Sequence, residues 1–346
     1  MPNTIDLRSD TAIQPTTPML EAVRHLQFGD DLLCEDQSTN TLVTQACTLL
    51  GKEDAVLTPS GTMSNQIAIA ALTQPGDEVL LGPKSHIRNL ESAGLAVISG
   101  AQIRCIPVHN GVYDTDALES TITSGTLQEA PTGLISLEAT YDLNSGYVTP
   151  LENYQAIRRI ATKHNLPVFL DGARLFNAAH TLDVEPHQIC QYVDAVQFSL
   201  NKGIGAPLGA ILLGTKNFIA TARRLRQRLG GGMRHSGLLA APAIIALNEW
   251  RTTIETDHIN ARWLADQLNT NKHLTINNHP IDSNIINLTL NHNRMTVTSL
   301  IQALEKRDIY VKQIGDASAR LVTHRSVSTT DLQYVSKQIH QIIKNQ

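Results

Sequence analysis

Pro167-Val168-Phe169-Leu170-Asp171-Gly172-Ala173-Arg174 passes from an apolar run straight into a carboxylate, a glycine and a guanidinium. A run this short, ending in small and charged residues, reads as a strand buried on both faces with a polar rim at its carboxyl end. Six more runs of the same kind lie around it, at 55–57, 78–81, 102–108, 133–137, 195–200 and 209–213. The segments between them, such as 63–73 and 151–164, have helical periodicity. Seven β-rich runs alternating with helices predict an α/β protein built on a largely parallel sheet.

The chain has 346 residues, more than the ~150 expected of one domain, so a second unit is expected. After Gly230-Gly231-Gly232 the pattern turns strongly helical over 238–250 and 258–268. Short strand candidates follow at 284–290, 309–311 and 321–322, and a last helix spans 330–344. These features predict a large domain over 1–245 and a smaller α+β C-terminal domain over 246–346.

Composition narrows the partners. Apolar residues at 42% and charged residues at 17% are globular values, and no apolar run approaches the ~20 residues of a membrane span. The net charge of −4 supplies no positive field for nucleic acid or anionic lipid. Cys34, Cys47, Cys105 and Cys190 show no C-x-x-C spacing, which argues against a zinc site or a disulfide scaffold, so no metal is expected. The opening Met1-Pro2-Asn3-Thr4-Ile5-Asp6 lacks the basic and apolar regions of a signal peptide, and a cytoplasmic location is expected. Small molecules or other chains remain as partners.

In an open α/β sheet, ligands bind beyond the carboxyl ends of the strands. The residues just after the runs are Ser60-Gly61-Thr62, His86, Glu138, Asp171 with Arg174, and Asn201-Lys202. Each has an ordinary explanation: a helix cap for Ser60 or Asp171, a structural histidine, a solvated loop lysine. Together they offer an anion cradle, an aromatic base, a carboxylate, a guanidinium and an amine. Asp171 and Lys202 are 31 residues apart, enough for one crossover helix to bring both to the same rim. A carboxylate beneath a pyridine nitrogen and a lysine at an aldehyde carbon are what pyridoxal phosphate requires. Ser60-Gly61-Thr62 precedes a helical run, where backbone N–H groups favour a phosphate.

Arg174 and Arg320 are candidate forks for a substrate carboxylate, the alternative being ordinary salt bridges. Gly203-Ile204-Gly205-Ala206-Pro207-Leu208-Gly209 is a poor dinucleotide fingerprint, since its last glycine is one residue late and a proline interrupts it. Arg223-Arg224-Leu225-Arg226-Gln227-Arg228 has no interleaved aromatics and reads as a charged helix face or a subunit contact. The glycines beside Arg234 would let that residue reach a neighbouring subunit.

Taken together, the motifs resemble those of the low-specificity L-threonine aldolases. They are Asp6-Leu7-Arg8-Ser9-Asp10-Thr11, Gly29-Asp30-Asp31 with Glu35-Asp36, Pro59-Ser60-Gly61-Thr62-Met63 and Asp171-Gly172-Ala173-Arg174-Leu175-Phe176-Asn177-Ala178. Lys202-Gly203-Ile204-Gly205-Ala206-Pro207, Gly230-Gly231-Gly232-Met233-Arg234 and Arg320-Leu321-Val322-Thr323-His324 complete them in order. The resemblance implies an aspartate-aminotransferase type of fold (fold type I) and pyridoxal phosphate as cofactor. It also implies cleavage of β-hydroxy-α-amino acids to glycine and an aldehyde.

By position, the resemblance makes Lys202 the amine that bonds the cofactor and Asp171 the partner of its pyridine nitrogen. It places His86 on the ring and Ser60, Gly61 and Thr62 on the phosphate. Ser9, Arg174 and Arg320 bind the substrate carboxylate, and Arg234 comes from another subunit of a homotetramer built from dimers. Three departures concern the substrate. Leu33 stands where the family commonly has Tyr, and Gln128 where some members have a second histidine. The segment Ala139-Thr140-Tyr141-Asp142-Leu143-Asn144-Ser145-Gly146 is longer than the usual turn. A glutamine is no general base, so His86 or a water is left to deprotonate the β-hydroxyl. A β-eliminating lyase acting on another amino acid, or a scaffold that has lost catalysis, remain the alternatives.

Overall fold

A computed structural model describes residues 4–345. Its main sheet contains one strand from each of the seven apolar runs: β1 (Asp54–Thr58), β2 (Glu78–Leu81), β3 (Gln102–Cys105), β4 (Thr132–Glu138), β5 (Val168–Asp171), β6 (Ala195–Ser199) and β7 (Ala210–Gly214). The order across the sheet is β1-β7-β6-β5-β4-β2-β3. Only β7 runs against its two neighbours, and the other pairings are parallel. The runs are continuous rather than alternating because both faces are covered. Val168, Leu170, Val196 and Phe198 enter the core on one face, while Phe169 and Ala195 enter the core on the other.

The expected strand over 102–108 is shorter than predicted. Pro107 has no N–H to give a ladder, so β3 ends at Cys105. Val108–His109 then pairs with Val112–Tyr113 across Asn110-Gly111, both with positive φ as a two-residue hairpin turn requires.

A second, antiparallel sheet follows, formed by β8 (Leu274–Ile276), β9 (Ile285–Leu290), β10 (Lys312–Gln313) and β11 (Ser318–Val322) in the order β8-β9-β11-β10. It packs against helices Val297–Glu305 and Thr329–Lys344 around its own apolar core. Helix Trp250–Asn269 serves both cores, with Trp250 and Ile254 in the first and Ala261, Leu264 and Leu268 in the second. The helix begins eight residues before the predicted 258 because Thr253, Asp257 and His258 are buried polar residues that break the apolar pattern. The N-terminal strand Ile5–Asp6 pairs with Ile309–Tyr310, and Ile5 and Leu7 enter the second core. Residues 5–7 therefore lie on the C-terminal unit, and the chain crosses to the large sheet from there.

Candidate active site

The carboxyl ends of β1, β4, β5 and β6 and the turn after β2 meet in one cavity. Ser60, Gly61, Thr62, His86, Asp171, Arg174 and Lys202 all line it, together with Glu138, Thr11, Asn65 and Gln197. Strands that lie side by side put their last residues side by side. Glu138 is the register partner of Asp171, and Asp171 that of Gln197.

Helix Gly61–Leu72 starts at the cavity wall. The Met63 N–H donates to Ser60 Oγ at 3.2 Å, so Ser60 caps the helix. The first N–H groups, at Gly61 and Thr62, have no acceptor within the helix and are suited to an anion. A Cβ on Gly61 would stand 3.1 Å from Ser199 Oγ, so glycine lets the loop and β6 close together.

Asp171 is buried and held by three donors. Asn65 Nδ2 donates to its Oδ2 at 2.8 Å, the Ala173 N–H to its Oδ1 at 3.1 Å, and Gln197 Nε2 to the same oxygen. A carboxylate accepts about four hydrogen bonds, which leaves room for a protonated ring nitrogen. Asn65 Nδ2 also donates to Glu91 Oε1 at 2.7 Å, and that oxygen lies 2.8 Å from His86 Nδ1. Gln66 Nε2 holds the other Glu91 oxygen. Asn65, Gln66, Glu91 and Gln197 were absent from the strand-end reading. Their only signal is two amides, Asn65-Gln66, interrupting an apolar helix. His86, Glu91 and Asp171 present ligand atoms within 4.8 Å of one another, a spacing that suits a metal ion, but the Asn65 amide bridges the two carboxylates.

Lys202 is half-buried just beyond β6, and its amine makes no hydrogen bond or ion pair among the described residues. Burial and the Arg174 charge lower its pKa, against the pull of Asp171 and Asp10. The amine is thus biased toward the neutral form a nucleophile needs. The turn beyond it is fixed by the Gly205 N–H donating to the Lys202 carbonyl at 2.7 Å. Gly205 has φ +84, and a Cβ there would lie 2.7 Å from Arg325 Cζ, so no other residue fits without displacement. Glu138 is buried, and its Oε2 accepts the His86 N–H at 2.7 Å. Burial, then the adjacent Asp171, push its carboxyl well above the usual range.

The three residues expected on a substrate carboxylate separate. Arg174 lines the cavity, but its Nε and Nη2 donate to Asp10 at 2.8 and 2.7 Å. Arg320 is buried outside the cavity wall, its Nη1 donating to the Leu143 carbonyl at 2.9 Å and its Nη2 to the Arg8 carbonyl at 2.6 Å. Ser9 caps a short 3-10 turn, accepting the Thr11 N–H at 3.2 Å, and Thr11 rather than Ser9 lines the cavity. Arg234 is exposed, paired with Asp30 at 2.9 Å and away from the cavity of its own chain. Leu33 is 68% exposed and Gln128 lies on an exposed turn, neither among the cavity residues. The segment after Glu138 does enter, through Ala139, Thr140 and Leu143.

The donor set fits pyridoxal phosphate: a helix start for its phosphate, a carboxylate with a vacant lone pair, and an unpaired amine in one cavity. The architecture and this cavity define an enzyme of the aspartate-aminotransferase fold type. Solved structures share it: Leishmania major threonine aldolase has TM-score 0.83 at 19% identity, covering 98% of this chain and 99% of that one. The Sphingomonas wittichii serine palmitoyltransferase has TM-score 0.76 at 18% identity, covering 98% and 86%.

The chain belongs to the β-eliminating lyase family, whose model matches residues 6–291. Among its relatives, low-specificity L-threonine aldolase 1 of Arabidopsis thaliana is 35% identical over 95% of this chain and 94% of its own. The low specificity L-threonine aldolase of Escherichia coli K12 is 34% identical over 96% and 97%.

Proposed function

We propose that the protein is a pyridoxal-phosphate-dependent aldolase that cleaves L-threonine, L-allo-threonine or related β-hydroxy-α-amino acids to glycine and an aldehyde. The observation that carries this reading is that Lys202 and Asp171 share one cavity with the start of helix Gly61–Leu72. Full-length similarity to threonine aldolases supports the choice of reaction.

The bound cofactor supplies an electron sink for the pair released when Cα–Cβ breaks. Lys202, whose amine is unpaired in the cavity, would hold it covalently. Asp171, held in place by Asn65, Gln197 and the Ala173 N–H, would pair with the ring nitrogen. Arg174 retains N–H groups beyond the two given to Asp10 and would orient the substrate carboxylate. His86, on the cavity wall, would lie against the ring. With Nδ1 on Glu91, its Nε2 is free to take the β-hydroxyl proton directly or through water.

Arg234 acts in the cavity of a neighbouring subunit within a homotetramer built from dimers, a reading supported by its exposure and by the lining of its own chain's cavity, which does not include it. Mixing Lys202→Ala with Arg234→Ala subunits then restores activity that neither has alone. A division into two units belongs to the same reading, supported by the two apolar cores, which part within helix Trp250–Asn269 between Ile254 and Ala261, and not at 245, with Ile5 and Leu7 in the second. No described helix is long and apolar enough to cross a membrane, and the cytoplasm is the proposed location.

The test is a visible spectrum of the protein with pyridoxal phosphate, before and after glycine, alongside product analysis with threonine, allo-threonine, phenylserine, serine and cysteine. Glycine with aldehyde supports the aldolase; pyruvate with ammonia points to β-elimination. Lys202→Ala abolishes covalent cofactor binding, whereas Asp171→Ala loses turnover more than cofactor. A protein that stays colourless with added cofactor overturns the assignment.

A further inference from the structure

The segment from Ala139 to Gly146 is fixed on both sides. The Tyr141 N–H donates to the Tyr147 carbonyl at 2.8 Å, and the Lys84 N–H to Tyr141 Oη at 3.0 Å. Asp142 accepts the Asn144 N–H at 2.8 Å and pairs with Lys84 Nζ at 3.3 Å. Asn278 Nδ2 donates to the Ser145 carbonyl at 2.6 Å, and Arg320 Nη1 to the Leu143 carbonyl. A segment tied down in this way presents its side chains in set positions.

Three of the segment's residues, Ala139, Thr140 and Leu143, line the cavity. Thr140 is 3% exposed, and its Oγ1 has no hydrogen-bond partner among the described residues. A buried hydroxyl left unpaired is costly, which points to a partner that arrives with the ligand. Leu143 adds an apolar wall, half-buried and directly joined through its carbonyl to Arg320. The ionisable side chains of the cavity, His86, Glu138, Asp171, Arg174 and Lys202, already have tasks in the reaction or partners in the wall. Asp142 is neutralised by Lys84. No charge remains to receive a charged β-substituent.

We infer that Thr140 and Leu143 select the substrate at its β-carbon. Thr140 Oγ1 hydrogen-bonds the β-hydroxyl, and Leu143 packs against an uncharged alkyl or aryl β-substituent. This rests on the aldolase reading and names the substrate class within it.

Glycine has no β-carbon and supplies the control. In the cofactor-loaded enzyme, Thr140→Val lowers kcat/KM for L-threonine by about tenfold, while glycine affinity, read from cofactor absorbance, moves by less than about twofold. Thr140→Ser restores most of the loss. Leu143→Ala shifts the preference from threonine toward phenylserine. Unchanged threonine kinetics in Thr140→Val, or an equal loss of glycine affinity, overturns the proposal. An unaltered enzyme that releases no glycine from any β-hydroxy amino acid sinks the aldolase reading and this one with it.

Discussion

Arg174 and Asp10 form a two-pronged ion pair, Nε to Oδ2 at 2.8 Å and Nη2 to Oδ1 at 2.7 Å, with both side chains buried. Arg174 stands on the rim of the large sheet, whereas Asp10 follows a strand that pairs with the C-terminal unit. The contact therefore closes the N-terminal segment over the cavity and sets the plane of the guanidinium. Asn284 Nδ2 donates to Asp10 Oδ2 at 3.4 Å, adding the second unit to the joint.

Removing one partner of a buried pair leaves the other charged and unsolvated, typically at a cost of ~3–5 kcal/mol. Asp10→Ala is expected to lower the urea midpoint accordingly and to weaken glycine binding. Equal midpoints for the variant and the parent would show that the pair contributes nothing.

Acid stability should fall in two windows. Burial, then the neighbouring His180, push His258 from 6.5 down to about 3, and Asn177 Nδ2 lies 3.0 Å from its Nε2. The unfolded chain takes up this proton near pH 6.5 and the native one only near 3. Stability is therefore full above 6.5 and declines as the pH falls toward 3, by up to about 1.4 kcal/mol per pH unit. Asp10 acts lower. Burial alone would raise its carboxyl, but Arg174 holds it at about 2 against 3.8, so its contribution is present above 3.8 and lost toward 2. Urea midpoints at about pH 7 and about pH 5 should differ less in His258→Gln than in the parent. An identical pH dependence in the two proteins sinks the His258 assignment.

Glu91→Ala leaves Asn65, Gln66 and His86 without their shared acceptor, at a cost of roughly 2–4 kcal/mol. Covalent cofactor content should persist, because Lys202 is untouched, but the dichroism of the bound cofactor should change as His86 loses its anchor. Glu91→Gln keeps one acceptor oxygen and should lie between. A parent-like dichroism in Glu91→Ala would detach Glu91 from the ring's orientation.

The basic run 223–228 divides sharply. Arg226 is buried, with Nη2 on Asp31 at 2.7 Å and Nη1 on the Leu57 carbonyl at 2.8 Å, while Arg224 is exposed. Arg226→Ala strands a buried Asp31 and should cost ~3–5 kcal/mol in denaturant titration, against about 0.5 or less for Arg224→Ala. Similar losses at both positions would return the run to a uniform charged face.

The sheet was legible because each strand is a local apolar run, and a strand end places the next polar residue at the rim whatever the rest of the chain does. Asp171, Lys202, His86 and the Ser60 turn were found on that ground. Glu91 was not, because a buried glutamate is marked only by the donors around it, and two of these, Asn65 and Gln66, come from the distant helix Gly61–Leu72. Thr140 lay in a segment noticed only for its length. Arg226 was grouped with its exposed neighbours, since helix periodicity tells which residues share a face but not which charged one is covered.

Residue order alone determined the seven strands, the helices between them and the side chains at their ends, because hydrophobic periodicity and turn chemistry act over a few residues. Tertiary structure decided the partner of each ionisable group: Asp10 for Arg174, Asp31 for Arg226, Glu91 for His86. A charge survives burial only where an opposite charge or a donor stands within about 3 Å, and that proximity is a property of the packed chain, not of either residue's type.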